Sequence, residues 1–234
     1  MITLAVDIGG TGTKVMLLDA EGKPIGEESR EPTPDPSTPK AIMKVIATMA
    51  SAKGAFDRVS VGFPAVVKEG ITAKPWNLHA SWTGFPLARE LGKVLGKPVR
   101  AANDADVQGF GAVSGKGVEL VITLGTGFGS ALFHDGRLVP NLELAHHTFR
   151  KGKTFEDYLG KAALQKRGRN RWNKALANVM TDLTMVFNYD RLYIGGGNAR
   201  KIDIALPKNV RIVPNTDGLL GGIALWNDLR SPAK

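Results

Sequence analysis

Residues Leu4 to Asp19 can be laid over Leu120 to Asp135 without a gap, and nothing else in the sequence restricts the fold so strongly. The first copy reads LAVDIGGTGTKVMLLD and the second LVITLGTGFGSALFHD, an offset of 116 in a chain of 234 residues. Each is an apolar run, a Gly/Thr-rich turn and a second apolar run, which is the pattern of a β-hairpin. Asp19-Ala20-Glu21-Gly22 and Asp135-Gly136 then supply turn residues ahead of further strands over Lys23 to Glu28 and Arg137 to Val139. A period of half the chain is no solenoid repeat; it implies two related lobes, each carrying a glycine-rich turn, with a cleft between them.

Between the copies the pattern alternates strands and helices. Thr38 to Ala52 places Ile42, Val45, Ile46 and Met49 at helical spacing after the breaker PTPDPSTP, and Val59 to Phe63 reads as a strand ended by Pro64. Phe85 to Leu95 reads as a helix and Val99 to Ala102 as a strand, with Asn103-Asp104 able to cap a helix from Ala105 to Val113. Trp172, Leu176, Val179, Leu183 and Val186 form a helical stripe that marks Trp172 as a core residue. Arg191 to Ile194 reads as a strand, followed by Gly195-Gly196-Gly197 and by Asn198 as cap of a helix to about Leu206. A strand at Val210 to Val213 and a final helix from Asp217 to Leu229 complete the pattern. The expected class is α/β. Residues 1-102 with a C-terminal helix at 217-234 would make the smaller lobe, and 103-216 the larger.

Glycines let the backbone approach a ligand closely, and successive N–H groups in such a turn form a nest for anionic oxygen. Two such nests suggest a phosphate chain, although each alone is equally a tight turn. Lys14 adds a cation beside the first, and Thr11, Thr13 and Thr126 add hydroxyls. A Walker loop does not fit, since GxxxxGK[ST] is missing and a strand follows each turn. The glycine run 195–197 after its strand is a second phosphate or nucleotide signal, weak by itself.

Composition narrows the chemistry. With no cysteine, disulfides, thiol catalysis and thiolate metal sites are excluded, and a reducing cytoplasmic setting is expected. A chain of this length with 43% hydrophobic residues buries a core without such staples. Neither a signal sequence nor a run of about 18 apolar residues occurs, so no membrane association is expected. Lys and Arg number 31 against 22 Asp and Glu, a formal +9. Nine of those cations (Arg150, Lys151, Lys153, Lys161, Lys166, Arg167, Arg169, Arg171 and Lys174) fall in one segment that holds only Glu156 and Asp157 as acids. This segment is either a solvated helix face or a polyanion-binding strip. It lacks the interleaved aromatics of single-strand binders, so nucleic acid is not the expected partner.

Asn77, the pair Asn103-Asp104, Glu143 with His146, and Glu156 are polar residues in apolar, turn-rich surroundings. Amides and carboxylates at such places can pair the hydroxyls of a neutral polyol. Asp104 is either a helix cap or a base that takes the proton from an attacking hydroxyl. Glu143-x-x-His146 has the spacing of a carboxylate-bridged metal ligand pair, but no second pair accompanies it, and His146-His147 without cysteines makes a poor zinc site. No GxSxG elbow is present to support a hydrolase triad.

Taken together, these residues resemble the ROK sugar kinases of the actin-like ATPase (ribonuclease H-like) fold, and within them the polyphosphate-glucokinase branch. Asp7-Ile-Gly-Gly-Thr-Gly-Thr-Lys14 resembles the first phosphate loop, including Gly9, Gly10 and Gly12. Leu124-Gly125-Thr126-Gly127-Phe-Gly129 resembles the second loop, Asn103-Asp104-Ala105-Asp106 the catalytic segment, and Ile194 to Gly197 the nucleotide-side glycine run. The resemblance implies ATP or polyphosphate as donor, a hexose such as glucose as acceptor, and Mg2+ faced by Asp7 through water. It implies Asp104 as the base at the sugar 6-hydroxyl, and Asn77, Asn103, Glu143, His146 and Glu156 as ligands of the other hydroxyls. Two departures stand out: Ala145 replaces the glycine of the family's E-x-G-H, and the cysteine cluster of its structural zinc site is missing, so no zinc is expected. Homodimers are common among such proteins. The rival readings are a ROK kinase for mannose, fructose or another hexose, and a non-catalytic sugar sensor, although Asp7 leaves no room ahead of it for a helix-turn-helix.

Overall fold

The structure is a computed structural model that describes residues 1–214 and 217–227. The chain divides into two compact units, Met1–Gly111 with the C-terminal segment from Thr216, and Ala112–Asn215. Each unit is built on one five-stranded mixed sheet.

In the first unit, β1 (Thr3–Ile8), β2 (Gly12–Leu18) and β3 (Pro24–Pro32) form an antiparallel meander. The chain then passes through α1 (Pro39–Ser51) and adds β4 (Arg58–Phe63) parallel to β1. A short hairpin, β5 (Val67–Lys68) and β6 (Ile71–Thr72), and α2 (Leu87–Leu95) lead to β7 (Val99–Asn103), parallel to β4, and α3 (Asp104–Ala112) follows at once. The sheet order is β3-β2-β1-β4-β7. Helix α1 starts where the sequence marks it, because Thr38 accepts the Ala41 N–H through its hydroxyl at 3.3 Å and Pro39 needs no acceptor in the first turn. Alternate residues of the strands (Leu4, Val6 and Ile8; Val15 and Leu17; Val59, Val61 and Phe63) pack with Ile42, Ile46, Leu87 and Leu91 into one core. The helices α1 and α2 therefore cover one face, and Ala5, Asp7, Lys14, Ser60 and Gly62 belong to the other.

The second unit repeats the plan. Strands β8 (Val118–Leu124), β9 (Phe128–His134) and β10 (Arg137–Val139) form the meander. The hairpin β11 (Thr148–Arg150) and β12 (Lys153–Thr154) follows, then helices α4 (Phe155–Leu159), α5 (Lys161–Arg167) and α6 (Arg169–Phe187). Strand β13 (Arg191–Gly195) pairs parallel to β8, and β14 (Val210–Ile212) parallel to β13, giving the order β10-β9-β8-β13-β14. Order and strand directions match the first sheet throughout. Trp172 is fully buried in this core with Leu176 and Val179, and its indole N–H donates to the Leu159 carbonyl at 2.9 Å.

Several expectations need correction. The repeat is gapless in its first arm only. Ile8 pairs with Thr13 across four turn residues, whereas Leu124 pairs with Phe128 across three, so β9 is displaced by one position against β2. The shift matters because a one-residue slip exchanges the two faces of a strand. Phe128 and the partly buried Leu132 therefore join the core built on Trp172, as Leu17 joins the core of the first unit, whereas Ala131 and Phe133 are fully buried on the other face of β9. The helix expected from Asn198 to Leu206 is only a 3-10 turn, Ala199–Lys201; the Asn198 side chain makes no cap and donates elsewhere. The basic segment is no single helix face but a hairpin and three helices. Val186, at the end of the α6 stripe, is exposed, and Phe187 packs inward instead. The terminal helix is broken into α7 (Asp217–Leu220), a 3-10 turn at Gly221–Ile223 and α8 (Ala224–Asn227). Residues 228–234 of that expected helix lie outside the described residues.

Candidate active site

Register across the first sheet places Arg30 beside Lys14, Lys14 beside Asp7, Asp7 beside Gly62 and Gly62 beside Ala102. Directly paired residues project from the same face, so a row of charge crosses β3, β2 and β1 and ends at a bare glycine on β4. Asp7 is half-buried, and desolvation pushes its carboxyl up to about 6; Lys14 and Arg30 oppose that rise, while Glu28 adds to it. The Lys14 ammonium also lies 3.3 Å from the Glu28 carboxylate.

Gly62 is the hinge of this arrangement. A Cβ there would lie 3.8 Å from Asp7 Oδ1, 3.5 Å from Asp104 Cα and 3.7 Å from Asp104 Cβ. The two aspartates thus flank a side-chain-free step where the parallel strands end, the edge at which open α/β sheets bind ligands. Asn103, almost fully buried, accepts the Ala105 N–H through Oδ1 at 2.8 Å, and Asp104 Oδ1 accepts the same N–H at 2.7 Å. Capping of α3 is therefore shared, and Asp104 sits in the first turn, where the helix dipole favours a carboxylate.

The first glycine turn is closed by the Gly9 N–H donating to the Gly12 carbonyl at 3.0 Å and braced by the Thr33 hydroxyl on the Gly9 carbonyl at 2.6 Å. Asn77 packs against it, its Cβ 3.1 Å from where a Gly10 Cβ would stand. Thr11 is exposed, but Thr13 pairs with Ile8 on the core side and is fully buried, on the face opposite Lys14.

In the second unit the equivalent row is uncharged: Gly129 pairs with Thr123, and Thr123 with Gly195. The Gly125 N–H donates to the Gly127 carbonyl at 3.1 Å. The Gly125 carbonyl accepts the Asn198 side-chain amide at 2.9 Å and the Lys161 N–H at 3.1 Å, which fixes the turn from behind. Among the described residues the N–H groups of Gly10, Thr11, Thr126 and Gly127 reach no protein acceptor, as anion nests require.

Glu143 and His146 lie on the loop between β10 and β11. The buried Ser130 hydroxyl donates to the Leu142 carbonyl at 2.6 Å and accepts the Leu144 N–H at 3.2 Å, so both neighbours of Glu143 are pinned by one side chain. The Glu156 N–H donates to the Ala145 carbonyl at 3.0 Å, and the Glu156 carboxylate accepts the Phe128 N–H at 3.2 Å beside the second glycine turn. Desolvation first, and repulsion from Glu156 second, raise the Glu143 carboxyl above its usual range. The first unit therefore gathers Asp7, Lys14, Asn77, Asn103 and Asp104, and the second gathers Glu143, His146, Glu156 and the Gly125–Gly127 turn. Sequence reasoning missed Arg30, Gly62 and Ser130. Arg30 escaped because the third strand was expected to end at Glu28, and Gly62 and Ser130 read as ordinary strand residues.

The model of the ROK family matches residues 3–142. A polyphosphate glucokinase of Mycobacterium tuberculosis is 32% identical over 92% of this chain and 88% of its own length. The solved structure of an inorganic polyphosphate/ATP-glucomannokinase from Arthrobacter sp. strain KM superposes with a TM-score of 0.87 at 32% identity, covering 96% of this chain and 99% of that one. A ROK glucokinase from Streptomyces griseus, solved with glucose and AMPPNP, gives 0.78 at 18% identity over 96% and 99% of the two chains, a likeness of fold. The chain belongs to the ROK family. Its duplicated mixed sheets are those of the actin-like ATPase fold.

Proposed function

We propose that the protein is a hexose kinase that transfers the terminal phosphoryl group of ATP or inorganic polyphosphate to the 6-hydroxyl of glucose. The observation that carries this assignment is the placement of Asp7 and Asp104 on either side of Gly62 at the strand ends. A carboxylate at the start of α3 takes the hydroxyl proton as the new O–P bond forms, while a second carboxylate on β1, across β4, serves the donor side. The names of the M. tuberculosis and Arthrobacter relatives supply the donor and the acceptor class.

Asn77, Asn103, Glu143, His146 and Glu156 are the ligands of the remaining sugar hydroxyls. The two glycine turns and Lys14 receive the phosphate oxygens through N–H groups and charge, and Gly195, Gly196 and Gly197 give a nucleotide close approach to backbone. Asp7 and Asp104 flank Gly62, and among the described residues no group of three or more metal-binding side chains occurs. That donor set suits Mg2+, which keeps most of its waters and takes one or two carboxylates together with substrate phosphates. Bound there, Mg2+ would neutralise charge on the donor oxygens. No described helix is long and apolar enough to cross a membrane, and we place the reaction in the cytoplasm. A homodimer is the expected assembly, to be checked by sedimentation.

The direct test measures phosphorylation of glucose and mannose in parallel, each with ATP and with long polyphosphate, in the presence of Mg2+. Glucose 6-phosphate is expected with both donors. Failure of every pair overturns the assignment, and glucose binding without transfer would point to a sugar sensor.

A further inference from the structure

We infer that Arg30 is a phosphate ligand of the donor, set on the third strand to grip the phosphate chain at the first glycine turn. The inference rests on the kinase assignment above and adds a residue that assignment does not use. Three observations converge on it. The guanidinium lies against the bare backbone of Gly12: a Cβ at that position would stand 2.7 Å from Arg30 Nε and 3.1 Å from its terminal nitrogen. Arg30 is paired with Lys14 in the charged row, so it shares the face that carries Asp7. It is exposed and makes no ion pair or hydrogen bond through its side chain among the described residues, whereas the neighbouring Lys14 is already bridged to Glu28.

These features separate the two cations by role. Lys14 lies between two carboxylates and balances their charge. Arg30 keeps a planar fork of donors against Gly12, at the end of a turn whose Gly10 and Thr11 N–H groups also lack protein acceptors among the described residues. A guanidinium and backbone N–H groups around one glycine step make a two-sided receptor for a tetrahedral anion, since the fork bonds two phosphate oxygens at once. In the second unit the position matching Lys14 in its row is Gly129. Within the two matching rows, side-chain charge is therefore confined to the first. Gly12 has a corresponding purpose: any side chain there would displace the guanidinium.

The test compares the wild-type protein with Arg30→Ala and Arg30→Lys. Charged hydrogen bonds of this kind correspond to about a tenfold to hundredfold change in binding. Arg30→Ala should therefore raise KM for both ATP and polyphosphate by about tenfold or more, with KM for glucose changed less than about twofold. Arg30→Lys, which keeps the charge but not the fork, should recover only part of the loss. Calorimetric titration with tripolyphosphate, which needs no turnover, should show the same ranking. Unchanged donor KM and unchanged tripolyphosphate affinity in Arg30→Ala would overturn the inference. So would a fall in kcat alone, which would place Arg30 merely in the electric field of Asp7. If the wild-type protein transfers no phosphoryl group yet binds tripolyphosphate through Arg30, the kinase assignment fails and the phosphate ligand stands.

Discussion

Asp7 and Asp104 share a sheet edge but occupy different environments. Asp7 projects from mid-sheet beside Lys14 and loses solvation, so it holds its proton more tightly in the folded chain than in the unfolded one. A carboxyl raised to about 6 from 3.8 makes the native state relatively less stable as pH climbs from about 4 through 6, by at most about 3 kcal/mol. Without donor and metal, Asp7→Asn should therefore melt higher than the wild-type protein at pH 7.5 and lose that advantage near pH 4, while phosphoryl transfer collapses. Equal melting temperatures at both pH values would show that Asp7 carries no desolvation cost. In the wild-type protein, donor binding should strengthen as pH rises through about 6 and the carboxylate forms. Of these residues, Asp7, Asn103 and Asp104 were legible in the sequence because each stands at a strand end beside glycine or a helix start. Arg30 and Ser130 were not, since only strand register brings one to Gly12 and the other to both flanks of Glu143.

At the level of elements, the second hairpin is held by what packs behind it. Gly196 has φ +86, and a Cβ there would lie 2.5 Å from the Leu124 carbonyl oxygen and 2.6 Å from its nitrogen, both backbone atoms that cannot swing away. Gly196→Ala should destabilise the second unit by about 2 to 4 kcal/mol and lower soluble yield, as measured by urea denaturation. A neutral result would mean that β13 can retreat from β8. Helix α1 and the strands with strong alternation could be read from the sequence to within about two residues, because caps and apolar period agree there. The turn after β13 could not. Asn198 looks like a cap in one dimension, but its backbone N–H bonds the Leu124 carbonyl and its amide the Gly125 carbonyl, so tertiary partners replace the helix. The one-residue difference between the two glycine turns was likewise invisible, since both copies have equal length and only pairing shows where each turn closes.

Across the whole molecule, the +9 charge is concentrated in the segment from Arg150 to Lys174, and three of its nine cations are held by acids or a ring. Arg150 lies 3.9 Å from Asp182, Arg169 lies 3.4 Å from Asp203, and Arg167 stacks on Tyr158 at 4.1 Å. Lys161, Lys166, Arg171 and Lys174 are exposed and form no such pairs among the described residues, and Lys161 follows directly on the second glycine turn through its N–H. Replacing these four with serine should raise KM for long polyphosphate by about tenfold at low salt and leave KM for ATP within about twofold, with a shallower salt dependence. An unchanged KM for long polyphosphate would assign the cations to solubility instead. The duplication of the sheet was legible from the repeat, and the basic segment from composition, but which of its cations are engaged depends on acids remote in sequence. The role of Asp104 as the base is tested by comparing Asp104→Asn with the wild-type protein for glucose 6-phosphate formation under saturating donor and Mg2+, with glucose affinity measured alongside. Loss of turnover by a factor of about 10² to 10⁴, with glucose binding retained, is the predicted result. Turnover equal to wild type would contradict it.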